Sequence, residues 1–319
     1  MKVNSLNKGL QIAPADLENL ISTLDVKFVG LAHCSVSTGY RLELGDAEAP
    51  GIHYNLSGRG KIIIANHPPI ELKPHTLIIV PKNTPFRIEV ADEKERSAVL
   101  KPIDGRLQNK STDGVQRYVA GTGQPEVVLL CGYFYASYGA SADLFASLSS
   151  PIVEQFEIND HIDIKLQAAL SELMSQEIGS GAMSAALLKQ VIVSILRRSL
   201  VSLELWIERF SILSDARISK AFSEMVAAPG GDHTVMSLAD CACMSRSAFM
   251  SRFTELFGKS PMSILRDLRM RQATQHLKTS DMSVEHIAHL AGYDSRGSFL
   301  KAFRKTYDSD PSTFRNGAV

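Results

Sequence analysis

Two stretches of seventeen residues, SRSAFMSRFTELFGKSP from Ser245 to Pro261 and SRGSFLKAFRKTYDSDP from Ser295 to Pro311, concentrate side chains that can do recognition chemistry. Phe249, Phe253 and Leu256 fall four and three residues apart, a spacing that stacks them on one buried face of a helix. Phe299, Phe303 and, one position later, Tyr307 repeat the arrangement. At about 100° per residue, the opposite face presents Ser247, Ser251 and Thr254 in the first copy and Gly297, Lys301 and Arg304 in the second. Met250 and Arg296 flank those faces, and Arg246, Ser298 and Lys305 complete the outward set. Hydroxyl, ammonium and guanidinium groups on a slim helix face suit hydrogen bonding to base edges and contact with phosphates, so these eleven residues are the candidate contacts to double-stranded DNA.

The elements around the two stretches are what must position them. Each is preceded by a short helical pattern, SLADCACM or SVEHIAHLAGY, with an apolar–Ala pair, Leu238-Ala239 and Ile287-Ala288. A short helix, a tight turn and a second helix make a helix-turn-helix. Polar residues stand ready to cap the second helices: Ser245 in one copy, Asp294 or Ser295 in the other. Gly292 occupies the second turn, where a positive φ is often required, and Cys243 stands at the matching place in the first. Between the copies, SPMSILRDLRMRQATQHLKTSD reads as one helix from Pro261 to Thr279, with Ser260 as cap and Pro261 in the first turn. That spacer spans roughly 28 Å, against about 34 Å between major-groove faces on one side of DNA. A helical solenoid is the competing reading of two helix pairs. It gives no reason for cap, turn and outward basic residues to recur together.

Composition bounds the rest. The 319 residues leave room for two domains, and 45% apolar with 21% charged residues is the balance of a folded globular chain. Net charge is zero, yet from Ser245 onward there are 12 Lys and Arg against 7 Asp and Glu, a mild basic footprint in the segment that carries the repeat. The opening residues lack the apolar core of a secretion signal and no run approaches a membrane span, so a cytoplasmic protein with no membrane partner is expected. Cys34, Cys131, Cys241 and Cys243 give neither a disulfide framework nor paired zinc spacing.

Residues 28 to 135 read as a β-rich sandwich or barrel: KIIIA, TLIIVP, FRIEV and EVVLLCGYFY are short β-branched or aromatic runs punctuated by Gly, Pro and Asn. The polar run ADEKERSAVLKPIDGRLQNKSTDG reads as a long loop. After Pro151 the pattern turns helical. Leu188, Val191, Ile192, Ile195 and Leu196 share one face, either packed on their own domain or shared between two subunits. A further helix starts at SDARISKAFSEMVAA with Ser214 or Asp215 as cap, is ended by PGGD, and is preceded by a linker near 210–214.

The C-terminal residues, from about Ala216 to Arg315, resemble the DNA-binding domain of the AraC/XylS family of bacterial transcription regulators. Ile287, Ala288, Gly292, Tyr293, Phe299, Phe303, Pro311, Phe314 and Arg315 stand at the positions of its signature. Two residues depart from it: Cys243 in place of a turn glycine, and Asp308 in place of the glycine before the Pro311 motif. The N-terminal part is similar, through HYNLSGRGKI, IELKPHTLIIVPKNTPF, LLCGYF and GSGAMSAALLKQVIVSILRRSL, to the cupin-type sensor domain of one branch of that family. Metal-binding cupins hold clustered His and carboxylate ligands, with a His near the end of the second motif; Phe86 stands there, which leaves His53 without a ligand set.

The resemblance implies an α+β multidomain chain. Residues 1–212 would form a cupin-like β-barrel with following helices for effector sensing and dimerisation. Residues 213–319 would form an all-α domain with two helix-turn-helix motifs joined by a long helix. It implies a homodimeric activator, not an enzyme, that binds promoter DNA, contacts RNA polymerase, and needs no cofactor or metal. The effector, a small molecule or a redox signal, would be met by His53, Cys34 and Cys131. The rival readings are a cupin-type metal-dependent enzyme fused to a DNA-binding domain, and an adaptor whose barrel serves assembly alone.

Overall fold

The computed structural model describes residues 14–92, 99–108, 116–138, 142–146, 148–201 and 215–316. The chain forms two compact units, one of Val26–Ala136 with Leu148–Trp206, the other of Met1–Asp25, Ser137–Ser147 and Ile207–Val319.

Helix α1 (Pro14–Thr23) leads into β1 (Asp25–Val36), β2 (Tyr40–Leu44), β3 (Gly51–Ser57), β4 (Gly60–Ile64), β5 (Ile70–Leu72), β6 (Thr76–Val80) and β7 (Phe86–Val90). Then come β8 (Lys101–Asp104), β9 (Gln116–Ala120), β10 (Val127–Tyr138), β11 (Ala142–Asp143) and β12 (Ile152–Gln155). One sheet has the order β12-β6-β3-β10-β1-β9, with β11 on the end of β10, and the other has the order β5-β4-β7-β2-β8. Alternate residues of both, among them Val36, Leu42, Ile62, Ile78, Ile88 and Leu129, meet in one buried core. This is the period-2 pattern of strands with one face inward. The polar run after Val90 is not all loop: β8 pairs parallel with β2 from Tyr40↔Lys101 to Glu43↔Asp104. Its side chains are half to fully exposed, so no apolar alternation marks it in the sequence. Within that run, 93–98 and 109–114 lie outside the described residues.

Helices α2 (Ile162–Ser175) and α3 (Ser180–Val201) pack on each other in the same unit. Leu188, Val191, Ile192, Ile195 and Leu196 of α3 are buried, none above 3% exposed. Their surface is consumed within the subunit, so this stripe is not the shared face that the spacing alone also allowed. Arg198, lower on α3, donates to the Gln155 carbonyl at 2.8 Å and pairs with Glu154 at 3.2 Å, tying the helix to β12.

The helical unit comprises α4 (Ala216–Ala227), α5 (Val235–Cys241), α6 (Arg246–Phe257), α7 (Pro261–Thr279), α8 (Val284–Leu290), α9 (Arg296–Tyr307) and α10 (Pro311–Arg315). Asp215 caps α4, its carboxylate accepting from the Arg217 and Ile218 amides; Ser214 and the expected linker at 210–214 lie outside the described residues. Helix α7 has the bounds that the capping pattern predicts. Ser260 occupies its N-cap position with extended backbone but makes no side-chain cap bond, so the helix start rests on Pro261 in its first turn. Phe249, Phe253, Phe299 and Phe303 are fully buried, as the four-residue spacing requires. Leu256 and Tyr307 are half-buried at the ends of those stripes. Helix α1 joins this unit by packing on α4. Among the described residues no helix is long and apolar enough to cross a membrane.

Candidate nucleic-acid interface and the barrel cavity

The two helix-turn-helix motifs are α5–α6 and α8–α9. Ser245 Oγ accepts from the Ala248 amide at 3.3 Å and Ser295 Oγ from the Ser298 amide at 3.2 Å. Each cap leaves the remaining first-turn amides at an exposed, electropositive end. Arg246, Ser247, Ser251 and Thr254 are exposed on α6 with Met250 half-buried beside them; Arg296, Gly297, Ser298, Lys301, Arg304 and Lys305 are exposed on α9. Ten of the eleven candidate contacts thus lie open, and within each motif they face away from the phenylalanines.

Their charges are not equivalent. Arg304 Nε donates to Asp310 Oδ1 at 2.7 Å, an internal partner that holds its guanidinium toward the start of α10. Arg246, Arg296, Lys301 and Lys305 have no carboxylate partner among the described residues. Ser298 Oγ lies 2.9 Å from Ser295 Oγ, so its hydroxyl is shared with the cap, although a hydroxyl has one donor and two acceptor sites to offer. Gly297 has open space where a Cβ would be. Nothing inside the fold requires glycine in this first turn, where it weakens the helix.

Both turns contain a residue in the left-handed region: Cys243 at φ 51° and Gly292 at φ 73°. The helix ends repeat the contrast, with Gly258 at φ 67° after α6 and Asp308 at φ 50° after α9. Cysteine and aspartate therefore occupy conformations that glycine adopts without strain.

Two positioning residues escape the periodicity argument. Arg269 on α7 donates to the carbonyls of Pro229 and Gly231, each at 2.9 Å, and its guanidinium lies over the Tyr293 ring. A Cβ on Gly230 would fall 2.0 Å from the Leu290 carbonyl oxygen, and one on Gly292 would fall 2.6 Å from the Gly230 oxygen. The Pro-Gly-Gly turn that ends α4 is thus packed backbone to backbone against the turn of the second motif. The Gly-Gly pair was the available signal, and in sequence it reads only as a helix stop. Arg252 likewise joins the motifs' scaffold, pairing with the α4 cap Asp215 at 3.1 Å and with Glu255 at 2.9 Å.

In the sheet unit, register brings the other candidates together. His53 on β3 faces Cys131 on β10, and Cys34 on the adjoining β1 faces Tyr118 on β9. The side chains of His53, Cys131, Cys34 and Tyr118 line a cavity of about 540 Å³. His53 is 1% exposed, its ring lies 4.4 Å from that of Phe86, and burial pushes its pKa down to about 3. Burial, then the contact with the Cys34 thiol, pushes the Cys131 thiol well above its ordinary value. Both cysteines are buried free thiols. Among the described residues no three His, Cys, Asp or Glu side chains are grouped to hold a metal ion.

Comparison with known proteins agrees with this architecture. The family described as "Cupin" matches residues 17–200, and a "Helix-turn-helix domain" matches residues 238–317. A Haemophilus influenzae protein, described as an uncharacterized HTH-type transcriptional regulator, is 29% identical over 78% of this chain and 80% of its own length. The Escherichia coli protein RclR, an RCS-specific HTH-type transcriptional activator, is 24% identical over 89% of this chain and 90% of its own. Among solved structures, the DNA-binding domain of AdpA in complex with a target DNA is 31% identical over 31% of this chain and 89% of that one, with a TM-score of 0.30. The chain belongs to the AraC/XylS family of DNA-binding transcription regulators, in the branch with an N-terminal cupin domain.

Proposed function

We propose that α6 and α9 bind promoter DNA in adjacent major grooves, with Arg246, Ser247, Met250, Ser251 and Thr254 as contacts from the first and Arg296, Gly297, Ser298, Lys301, Arg304 and Lys305 from the second. The observation that carries this reading is the recurrence, in both motifs, of a serine-capped exposed first turn with an arginine, Arg246 or Arg296, that no carboxylate among the described residues neutralises. Arg304 contributes less than Lys301, because its bond to Asp310 must be given up or shared. The cupin domain senses a small effector and the regulator works in the cytoplasm as a homodimeric activator that contacts RNA polymerase. No metal or catalytic step is needed.

The test is affinity for a duplex recovered from the cell by crosslinking to this protein, measured at fixed salt. Lys301→Ala and Arg296→Ala should each weaken binding by about 1–3 kcal/mol if the residue makes a close base contact. Unchanged affinity in both variants removes α9 from the interface.

A redox effector is the second reading, favoured by the contact between the Cys34 and Cys131 thiols. Oxidation of a thiol proceeds through the thiolate, and burial suppresses that form at Cys131. The small-molecule reading therefore stands first. Full induction in a Cys34→Ser, Cys131→Ser double variant would dispose of the redox alternative.

A further inference from the structure

We propose that the cavity bounded by β1, β3 and β10 takes a neutral, largely apolar molecule carrying a hydroxyl or carbonyl group, and that His53 is its hydrogen-bond partner. This deepens the sensor reading, and its regulatory consequence rests on that reading.

Three observations on the site converge. First, both ring nitrogens of His53 are buried and have no hydrogen-bond partner among the described residues. A buried imidazole with donor and acceptor both unmet is an expensive arrangement, which a ligand in the adjoining space relieves. Second, the space is there. The cavity of about 540 Å³ falls within the range of small-molecule sites, and Phe28, Leu31, Leu44, Phe86 and Leu170 give it apolar walls. Third, the buried polar groups facing it are neutral. Burial holds the Tyr118 and Tyr133 phenols and the Cys131 thiol in their protonated forms and the His53 ring in its unprotonated form. Asp46 is exposed, and Arg106 already donates to both carboxylate oxygens of Asp104, at 2.9 and 2.7 Å. An ionised ligand would therefore lose its hydration without gaining a free counter-charge, whereas a neutral one with a single polar group meets both the walls and the histidine.

The class can be tested without knowing the natural molecule. The purified full-length chain is titrated by calorimetry with 4-ethylphenol, acetophenone, ethylbenzene and the 4-ethylbenzoate anion, four probes of similar shape that differ in the polar group. Expected is binding of 4-ethylphenol or acetophenone at least tenfold tighter than ethylbenzene, with no binding of the carboxylate. In His53→Phe the tenfold preference should vanish while ethylbenzene still binds. Tightest binding by 4-ethylbenzoate, a preference that survives in His53→Phe, or binding by none of the four overturns the proposal. Should His53→Phe fail to fold, Val29→Trp serves instead: Val29 is 59% exposed and lies on the cavity lining, so the larger ring obstructs entry without disturbing the core. All probe binding should then fall at least tenfold, and unchanged binding places the ligand elsewhere and overturns the proposal. Duplex affinity measured in probe-saturated samples separates the two readings, since an unchanged affinity removes the sensor reading while the ligand class stands on the calorimetry.

Discussion

His53 and Gly297 are each poorly explained by the fold around them, and each carries a consequence that can be measured. The folded-state pKa of His53 lies at about 3 against 6.5 when free. Between those values the unfolded chain binds a proton that the folded chain does not, so stability falls as pH drops from 6.5 toward 3 and is unaffected by this residue above 6.5. At pH 5 the loss amounts to about 2 kcal/mol, at roughly 1.4 kcal/mol per pH unit. His53→Phe should therefore flatten the pH dependence of urea unfolding between pH 7 and 5 by about that amount; an unaltered slope means that the ring is protonated in the fold. Gly297 makes the opposite kind of prediction. Since a Cβ there meets nothing, Gly297→Ala should stabilise the helical unit by about 0.5–1 kcal/mol. If DNA approaches that turn closely, the same substitution weakens duplex binding, so stability and affinity move in opposite directions. The outward position of Gly297 on its helix was legible from spacing. The orphaned nitrogens of His53 were not, because they depend on what strands β10 and β7 bring beside β3.

At the scale of elements, α6 and α9 were readable because phenylalanines four apart and a serine cap before them agree on one period and one start, and α7 because a proline stands in its first turn. Strand β8 was not readable, since a polar edge strand has no alternation. Nor was the use of the Pro-Gly-Gly turn, which ends α4 in sequence but in space supports the second motif. Gly230→Ala drives a Cβ into the Leu290 carbonyl, and backbone cannot rotate away as a side chain can. The expected loss is about 1–3 kcal/mol in unfolding free energy, with duplex affinity falling as α8 and α9 lose their support. Full stability of Gly230→Ala would mean that the loop is free to move off the second turn. The first turn predicts the reverse. Cys243 sits at positive φ and is exposed, where strain of about 1–2 kcal/mol is relieved by glycine and partly offset by glycine's greater unfolded-state entropy, about 0.5–1 kcal/mol. Cys243→Gly should gain about 0.5 kcal/mol in thermal or urea unfolding.

For the molecule as a whole, the order of segments along the chain is not the order of packing. Leu20 of α1 is fully buried, the Asp16 carbonyl accepts from Ser223 Oγ at 3.3 Å, and Arg271 of α7 reaches both the Thr23 carbonyl, at 3.3 Å, and Asp25, at 3.4 Å. Tyr138, at the end of β10, meets Phe222 of α4 edge-on at 5.2 Å, and Phe222 in turn lies 4.7 Å from Phe257 of α6. Two segments remote in sequence thus complete the core of the helical unit under α6. No local pattern announces this, because α1 carries an ordinary apolar stripe whose partner lies some two hundred residues away. The surface ion pair with Asp25 adds little; the buried leucine is the stronger term. Leu20→Ala should cost about 2–5 kcal/mol, the range for emptying a packed leucine site. Hydrogen exchange in the full-length chain tells where that loss falls. If α1 is integral to the unit, protection drops in α4 and α6 as well as in α1, and duplex affinity falls with it. If exchange quickens in α1 alone, the helix is an appendage that frays independently, and the helical unit owes its stability to the residues after 215.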